Sequence, residues 1–518
     1  MAYKTFAAID VGSYELAMKI FEISAKNGIR EIDHIRHRVE LGTDTYNTGK
    51  ISKQRVEEVC RILKEFRDVM QSYRVDAYKA YGTSAIRETE NTTIILDRIR
   101  ARTGIEVEVI SNSEQRFLDY KAIASKGESF ESVIRKGTVI VDIGGGSTQI
   151  SLFDKDALVA TQNLRLGLLR LRERLLSMQV RQSEYIRLIQ EQVDNQFEVM
   201  RRLFLEGRKI ENIILVDDYL SLVMQSPILG LENPGFLSRK ECKKFVDKMR
   251  ESSRAEISRF LGISEENALL LFISTEMVRR MMETMDSRLL WAPGVCLCDG
   301  IAYEYAEKNK LIKPEHDFVK DILACADNIG HRFQSNASRC ALMEQIALEI
   351  FDSMKRIHGL KERDRLMLQL SARLNDCGKY ISMANVGECS YSIIMANEII
   401  GLSHMEREIV ANIVKYNRVD FQYYSQLRKL TLLDQESYLK VAKLTAILKI
   451  ANGLVRSYRE KFSHIKASLK EQKLMINIDT SEDLTLEMGL LIPKADFFEE
   501  VFNIRPVVRH TRRGGAVV

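Results

Sequence analysis

The stretch GTVIVDIGGGSTQISLF, residues 137–153, reads as a strand, a glycine turn and a second strand. An earlier stretch, TFAAIDVGSYELAMKIFEIS at residues 5–24, has the same form: an apolar run ending in Asp10, a turn at Gly12-Ser13, and a return run. Asp142 stands 142 − 10 = 132 residues after Asp10, about one domain's length, so the two stretches read as copies of one duplicated unit. The segments downstream of each copy agree with this. After the first come a helical period at 52–72, a strand plus loop in VDAYKAYGTSAIR (75–87), a helix in NTTIILDRIRARTG (91–104) and a strand in IEVEVIS (105–111). After the second come helices to about residue 205, the strand IENIILVD (210–217) and further helix to about residue 305, broken by GVCLCDG (294–300).

From about residue 318 the periodicity turns helical, as in ALMEQIALEIFDSMKRI (341–357) and RDRLMLQLSARLNDCG (363–378). Strand-like alternation returns in HIKASLKEQKLMINIDT (464–480) and LTLEMGLLI (484–492). The expected organisation is two α/β subdomains over 1–130 and 131–305, an all-α domain over 306–455, and a small α/β cap over 456–518.

Composition bounds the function. The 518 residues are 45% hydrophobic and 29% charged, ordinary globular material for several cores. Lys and Arg number 77 against 72 acids, an excess too small for a dedicated nucleic-acid binder. Eight cysteines are scattered, and the close pair Cys296 and Cys298 lacks the two-residue spacer of a zinc knuckle or redox motif, so reduced thiols are expected. The start MAYKTFAAIDVGS lacks a charged segment followed by a long apolar run, and no later stretch is apolar enough to span a bilayer. A soluble cytoplasmic protein, with no membrane or nucleic-acid partner, is the expectation.

The two turns carry the chemistry. A hairpin tip without Cβ atoms lets backbone N–H groups approach phosphate oxygens, and an Asp ending the strand can accept bonds from metal-bound waters. The glycine run leads into the strand TQISLF and not into a helix, which excludes the dinucleotide fingerprint.

In this light the chain resembles the exopolyphosphatase / pppGpp phosphohydrolase (Ppx/GppA) family. Family patterns of the type D-x-G-S-N-S, T-S-A-x-R, I-S-G-x-E-E-A and D-I-G-G-G-S-T-E are matched, in order, by DVGSYE (10–15), TSAIR (83–87), ISNSEQR (110–116) and DIGGGSTQ (142–149). The resemblance implies an α/β fold of duplicated actin-like, ribonuclease-H-type subdomains of the ATPase superfamily, followed by an all-α HD-like domain and a small α/β C-terminal cap. It implies Mg²⁺ as cofactor, inorganic polyphosphate or guanosine pentaphosphate (pppGpp) as partner, and a homodimer. Carried over by position, Arg87 would hold the terminal phosphate and Glu114 would deprotonate the attacking water. Gly12, Ser13, Gly144, Gly145, Gly146, Ser147 and Thr148 would cradle phosphates, and Asp10 and Asp142 would hold the metal through water.

Several positions depart from the pattern. Gln149 stands where the family has Glu, and Ser13-Tyr14-Glu15 replaces S-N-S with a ring and a negative charge. Asn112 replaces a Gly, and Asp217-Asp218 falls where a phosphate-contacting turn is expected. In the helical half, Arg339, Asn375-Asp376, Cys389 and Asn417 occupy the places where HD-type domains keep metal ligands, so a metal-free scaffold is expected. His331, His358 and His404 read as core or surface residues, and Arg505, Arg509, His510, Arg512 and Arg513 form a basic tail read as a solvated terminus. The leading expectation is a Mg²⁺-dependent hydrolase of a terminal phosphoanhydride. The second is a binding or regulatory protein of the same fold that turns its ligand over slowly, and a sugar kinase or chaperone-type ATPase stands third because Arg87 and Glu114 sit in motifs those lack.

Overall fold

A computed structural model describes residues 3–511 apart from 156, 179–180, 182–183, 206, 315, 456–460, 462–463, 472 and 481. The chain divides into two compact units, Met1–Phe318 and Val319–Val518. Arg512 and Arg513 of the basic tail, and the side chain of His510, lie outside the described residues.

The first unit contains two sheets of one plan. In the first, β1 (Lys4–Val11), β2 (Glu15–Ser24) and β3 (Gly28–Arg38) form an antiparallel meander, and β4 (Ala77–Gly82) and β5 (Val107–Val109) add parallel strands in the order β3-β2-β1-β4-β5. In the second, β6 (Thr138–Ile143), β7 (Thr148–Asp154) and β8 (Ala157–Leu164) repeat the meander. Here β9 (Asn212–Asp217), β10 (Phe236–Ser238) and β11 (Leu289–Trp291) complete the order β10-β11-β9-β6-β7-β8, with β6, β9 and β11 parallel. The duplication inferred from Asp10 and Asp142 is therefore visible strand by strand. Apolar runs such as TVIVDI in β6 are buried on every residue, as a strand covered on both faces requires.

Two local readings change. The TSAIR stretch is not a loop: Ser84–Glu88 is a short helix. The strand expected over 105–111 is confined to Val107–Val109, and ISNSEQR opens the helix Asn112–Ala124, where Ser111 is the N-cap and accepts from Glu114 N–H.

The second unit is helical from Phe318–Arg332 through Gln435–Leu454, and ends in the sheet β12 (His464–Lys470), β13 (Lys473–Asp479) and β14 (Arg505–Thr511), ordered β12-β13-β14. LTLEMGLLI is not a strand. It begins the helix Thr485–Phe502, which buries Glu487, Leu491, Ala495 and Phe498 at three- and four-residue steps. His358 is fully buried, with Nε2 3.1 Å from the Phe351 carbonyl, and Arg505 pairs with Glu499 and with Asp496 at 3.3 Å.

At the core of this unit Arg339 lies against Asp376. Its Nη1 donates to both Asp376 oxygens at 2.8 Å, Nε donates to the Val455 carbonyl at 3.0 Å, and Nη2 donates to Asn452 Oδ1 at 2.6 Å. Asn375 donates to Asp376 at 2.9 Å, Lys379 donates at 2.8 Å, and Arg418 adds a third cation. Burial pushes the Asp376 carboxyl up, but Arg339, Arg418 and Lys379 outweigh it and hold the group below its usual range. Among the expected metal positions, then, Arg339 places a guanidinium directly on the aspartate. Removing one partner of a buried pair leaves an uncompensated charge, so Arg339→Met should destabilise this unit by about 3 kcal/mol, read as a lower urea midpoint by far-UV circular dichroism. An unchanged midpoint would show that Lys379 and Arg418 suffice.

Candidate active site

The two hairpins end in equivalent turns. Gly12 N–H donates to the Glu15 carbonyl at 3.0 Å, and Gly144 N–H donates to the Ser147 carbonyl at 3.0 Å. Gly12, Ser13, Tyr14 and Glu15 thus correspond to Gly144, Gly145, Gly146 and Ser147, each 132 residues on. The tips touch: a Cβ built on Gly145 would lie 3.1 Å from Ser13 Cβ, and one on Gly146 would lie 2.2 Å from Tyr46 Oη. Only glycine fits at Gly146, because the Tyr46 ring fills the space a side chain would need. Among the described residues, no turn or loop carbonyl accepts from the amides of Gly145, Gly146 and Ser147, which leaves these donors for a ligand.

Other groups of the expected cradle are already used. Ser13 Oγ lies 2.8 Å from Ser84 Oγ and 2.9 Å from Tyr46 Oη, and accepts from Ala85 N–H at 3.2 Å. Thr148 Oγ1 donates to the Leu166 carbonyl and is fully buried. Arg170 Nε donates to the Gly146 carbonyl at 2.9 Å and its guanidinium stacks 4.6 Å over the Tyr46 ring.

Tyr14 crosses from the first half into the second. Its hydroxyl donates to Asn267 Oδ1 at 2.7 Å, and its ring packs in the second half's core, edge-on to Tyr219. Around it Arg38 pairs with Glu266, Arg172 with Glu266 at 3.4 Å and with Glu40 at 3.7 Å, and Arg170 with Glu88 at 2.9 Å. The ring anticipated as an obstacle to phosphate is a latch between the halves.

Behind the tips the carboxyls converge. Asp10 ends β1 and Asp142 ends β6, and across β7 Asp142 faces Gln149. The helix Asn112–Ala124 adds Arg116, whose Nε donates to Gln149 Oε1 at 3.0 Å, and Asp119, which hydrogen-bonds Asp142. A bond between two carboxyls needs a shared proton. Burial, then Asp218, Glu15 and Asp142, raise Asp10 well above the carboxylate range, and burial and Asp142 raise Asp119. Burial lifts Asp142 to about 7 against the bond from Asp119 and the charge of Arg116, and burial and Asp218 lift Glu15 to about 7 against Arg36. Of the acidic pair at 217–218, Asp217 is structural: it accepts from Leu220 N–H, Ser221 N–H and Ser274 Oγ at 3.0, 2.7 and 2.6 Å. Asp218 is the one that acts on Asp10 and Glu15.

The two remaining expected residues are held by local structure. Arg87 Nη1 donates to the Ile110 carbonyl at 2.7 Å and Nη2 donates to Asn112 Oδ1, so Asn112 orients the guanidinium. Glu114 occupies N3 of a capping box: its Oε2 accepts from Ser111 N–H at 2.9 Å and from Ser111 Oγ at 2.7 Å, leaving Oε1 for a water. Asp119 was missed in the sequence. Its signal was a polar stripe, Asn112, Arg116 and Asp119 at i, i+4 and i+7, on a helix that also buries Leu118, Tyr120 and Ile123.

The residues suit a hydrated divalent cation. Asp10 Oδ1 and Asp119 Oδ2 are buried without a hydrogen-bond partner, and the crowded like charges would be relieved by a cation. Among the described residues no three His, Cys, Asp or Glu side chains converge as a full ligand set, so contact through water is the fit.

The geometry leads to two expected outcomes. Glu114→Gln preserves the cap, since Gln also serves at N3, so it should abolish any phosphate release without lowering the melting temperature; release at the wild-type rate would leave Glu114 a cap alone. Asp142 has a folded pKa near 7 against an unfolded value near 4, so the native state binds the extra proton and stability falls as pH rises through that window. Asp142→Asn should therefore be more stable than wild type at pH 8 by a few kcal/mol and nearly equal at pH 4, followed at Trp291, the single tryptophan. Parallel pH profiles would refute the shift.

Comparison with known proteins agrees with this architecture. The sequence model of the Ppx/GppA phosphatase family matches residues 19–309, and that of Ppx/GppA phosphatase, domain III, matches residues 323–493. A guanosine-5'-triphosphate,3'-diphosphate pyrophosphatase of Photobacterium profundum is 20% identical over 446 residues, 86% of each chain. Exopolyphosphatase 1 of Mycobacterium bovis is 26% identical over 144 residues, 28% of this chain and 40% of that one. The crystal structure of an exopolyphosphatase from Cytophaga hutchinsonii superimposes with a TM-score of 0.51 at 19% identity, covering 60% of this chain and all of that one, a likeness of fold. No helix among the described residues is long and apolar enough to cross a membrane. With its duplicated hairpin tips and a family match over more than half its length, the chain belongs to the Ppx/GppA phosphatase family.

Proposed function

We propose that this protein hydrolyses the terminal phosphoanhydride of inorganic polyphosphate or of pppGpp with Mg²⁺, as a cytoplasmic homodimer. The observation that carries this reading is the meeting of two equivalent hairpin tips in front of Asp10 and Asp142. The names of the relatives from Photobacterium profundum and Mycobacterium bovis support the same substrate class.

In this reading the free amides of Gly145, Gly146 and Ser147 receive phosphate oxygens, and the Arg87 fork, aimed by Asn112, binds the terminal phosphoryl group. Asp142, with Asp10 through water, would hold the cation, which when bound would neutralise charge on the phosphate oxygens. Glu114 Oε1 takes a proton from the attacking water as its oxygen bonds to the terminal phosphorus. The bridging P–O bond breaks, releasing orthophosphate and a chain one phosphate shorter. Because the tips touch and Tyr14 latches the halves, phosphate entry requires them to part.

A specific observation supports a second reading, a binding protein with little turnover: Gln149 is held by Arg116 and Glu114 is half committed to its cap. Phosphate release from polyphosphate and from pppGpp, with and without Mg²⁺, separates the two. Mg²⁺-dependent release from one of them, raised severalfold by Gln149→Glu, is the expected result. Background release accompanied by tight polyphosphate binding would replace the hydrolase with the binding protein.

A further inference from the structure

Asp119 belongs to none of the motifs at 10–15, 83–87, 110–116 and 142–149, yet it is 4% exposed and reaches Asp142 across the boundary between the halves. Its Oδ2 is buried with no hydrogen-bond partner, and so is Asp10 Oδ1. A buried oxygen left unsatisfied bears the desolvation of that atom with nothing in return, so two in one cluster of interacting carboxyls mark a place that a cation would complete. Arg116, on the same helix, places its charge near Asp142 while its Nε donates to Gln149 Oε1 and its Nη2 to the Gln162 carbonyl at 3.2 Å.

We propose that Asp119 and Asp142 together hold a hydrated divalent cation of the Mg²⁺ or Mn²⁺ class, with Asp10 accepting from one of its waters. Two facing carboxylates completed by water, with open positions for phosphate oxygens, match the preference of Mg²⁺ for one or two carboxylates and several retained waters. Gln149 fits the same arrangement. It lies across the ladder from Asp142, so its amide keeps the Asp142 face polar without adding a further charge, and Asp119 supplies from the helix the second carboxylate. The inference rests on the reading of this cleft as a phosphoanhydride site, and names which residues of that site hold the metal.

The test is direct binding of Mn²⁺ to the full chain at pH 7.5 without any phosphate ligand, followed by loss of the free-ion electron paramagnetic resonance signal. The expected result is one site per chain, weakened at least tenfold by Asp119→Asn and likewise by Asp142→Asn, with melting temperatures equal to or above wild type. Equal Mn²⁺ affinity in wild type and Asp119→Asn, or no binding by wild type at millimolar Mn²⁺, overturns the proposal. Mn²⁺ held through Asp119 by a chain that releases no phosphate keeps this site and removes the hydrolase. Phosphate release with Mn²⁺ affinity indifferent to Asp119→Asn does the reverse.

Discussion

Carboxyl groups from both halves of the first unit, Asp10 and Glu15 from one side and Asp142 and Asp218 from the other, are confined behind two hairpin tips. Each of these groups raises the pKa of another, so every proton lost from the cluster adds repulsion that works to separate the halves. Much of what surrounds it opposes that separation. Tyr14 on Asn267, Arg38 on Glu266, Arg172 on Glu40 and Arg170 on Glu88 each join one half to the other, and Arg36 sits beside Glu15. A cation bound at the centre would answer the same charge that these contacts hold in check.

Contact between the tips depends on glycine. Gly146 approaches Tyr46 at a distance no side chain permits, Gly145 packs tightly on Ser13, and Gly167 closes on Gly145 and Gly146 from behind: its Cβ would meet Gly146 C at 2.3 Å. The three are one packing constraint, which is why the second loop carries the longer glycine run. The first loop is free to carry Ser13, Tyr14 and Glu15 because its side chains point into partners: hydroxyls for Ser13, Asn267 for Tyr14, Arg36 for Glu15.

The duplicated meander was legible because Asp10 and Asp142 terminate similar apolar runs at a domain's spacing, and β-strand pattern with a glycine turn is a local signal. LTLEMGLLI was misread because its alternation matches a strand over six residues, while the face that decides its state, from Glu487 to Phe498, is longer than the stretch read. TSAIR passed for a loop because its helix begins at a small polar residue, Ser84, that also favours turns. Within the site, the motif residues named themselves, but what each does there depended on partners far off in sequence. Thr148 turns to Leu166, Arg87 to Asn112 and Asp119 to Asp142, pairings that only the folded chain brings together.

The guanidinium on Asp376 has a consequence for how this chain can change. A metal ion is exchangeable and can be withdrawn by a chelator; Arg339 is covalently part of the fold and keeps its charge at any pH the protein meets. The charge of Asp376 is therefore met from within the chain. Placing a metal at Asp376 would need Arg339 displaced, and that step alone strips a buried aspartate of its guanidinium partner before any new ligand exists. Arg339 and Asp376 are thus tied as one unit, since a change in either alone leaves the other as a buried charge short of its partner.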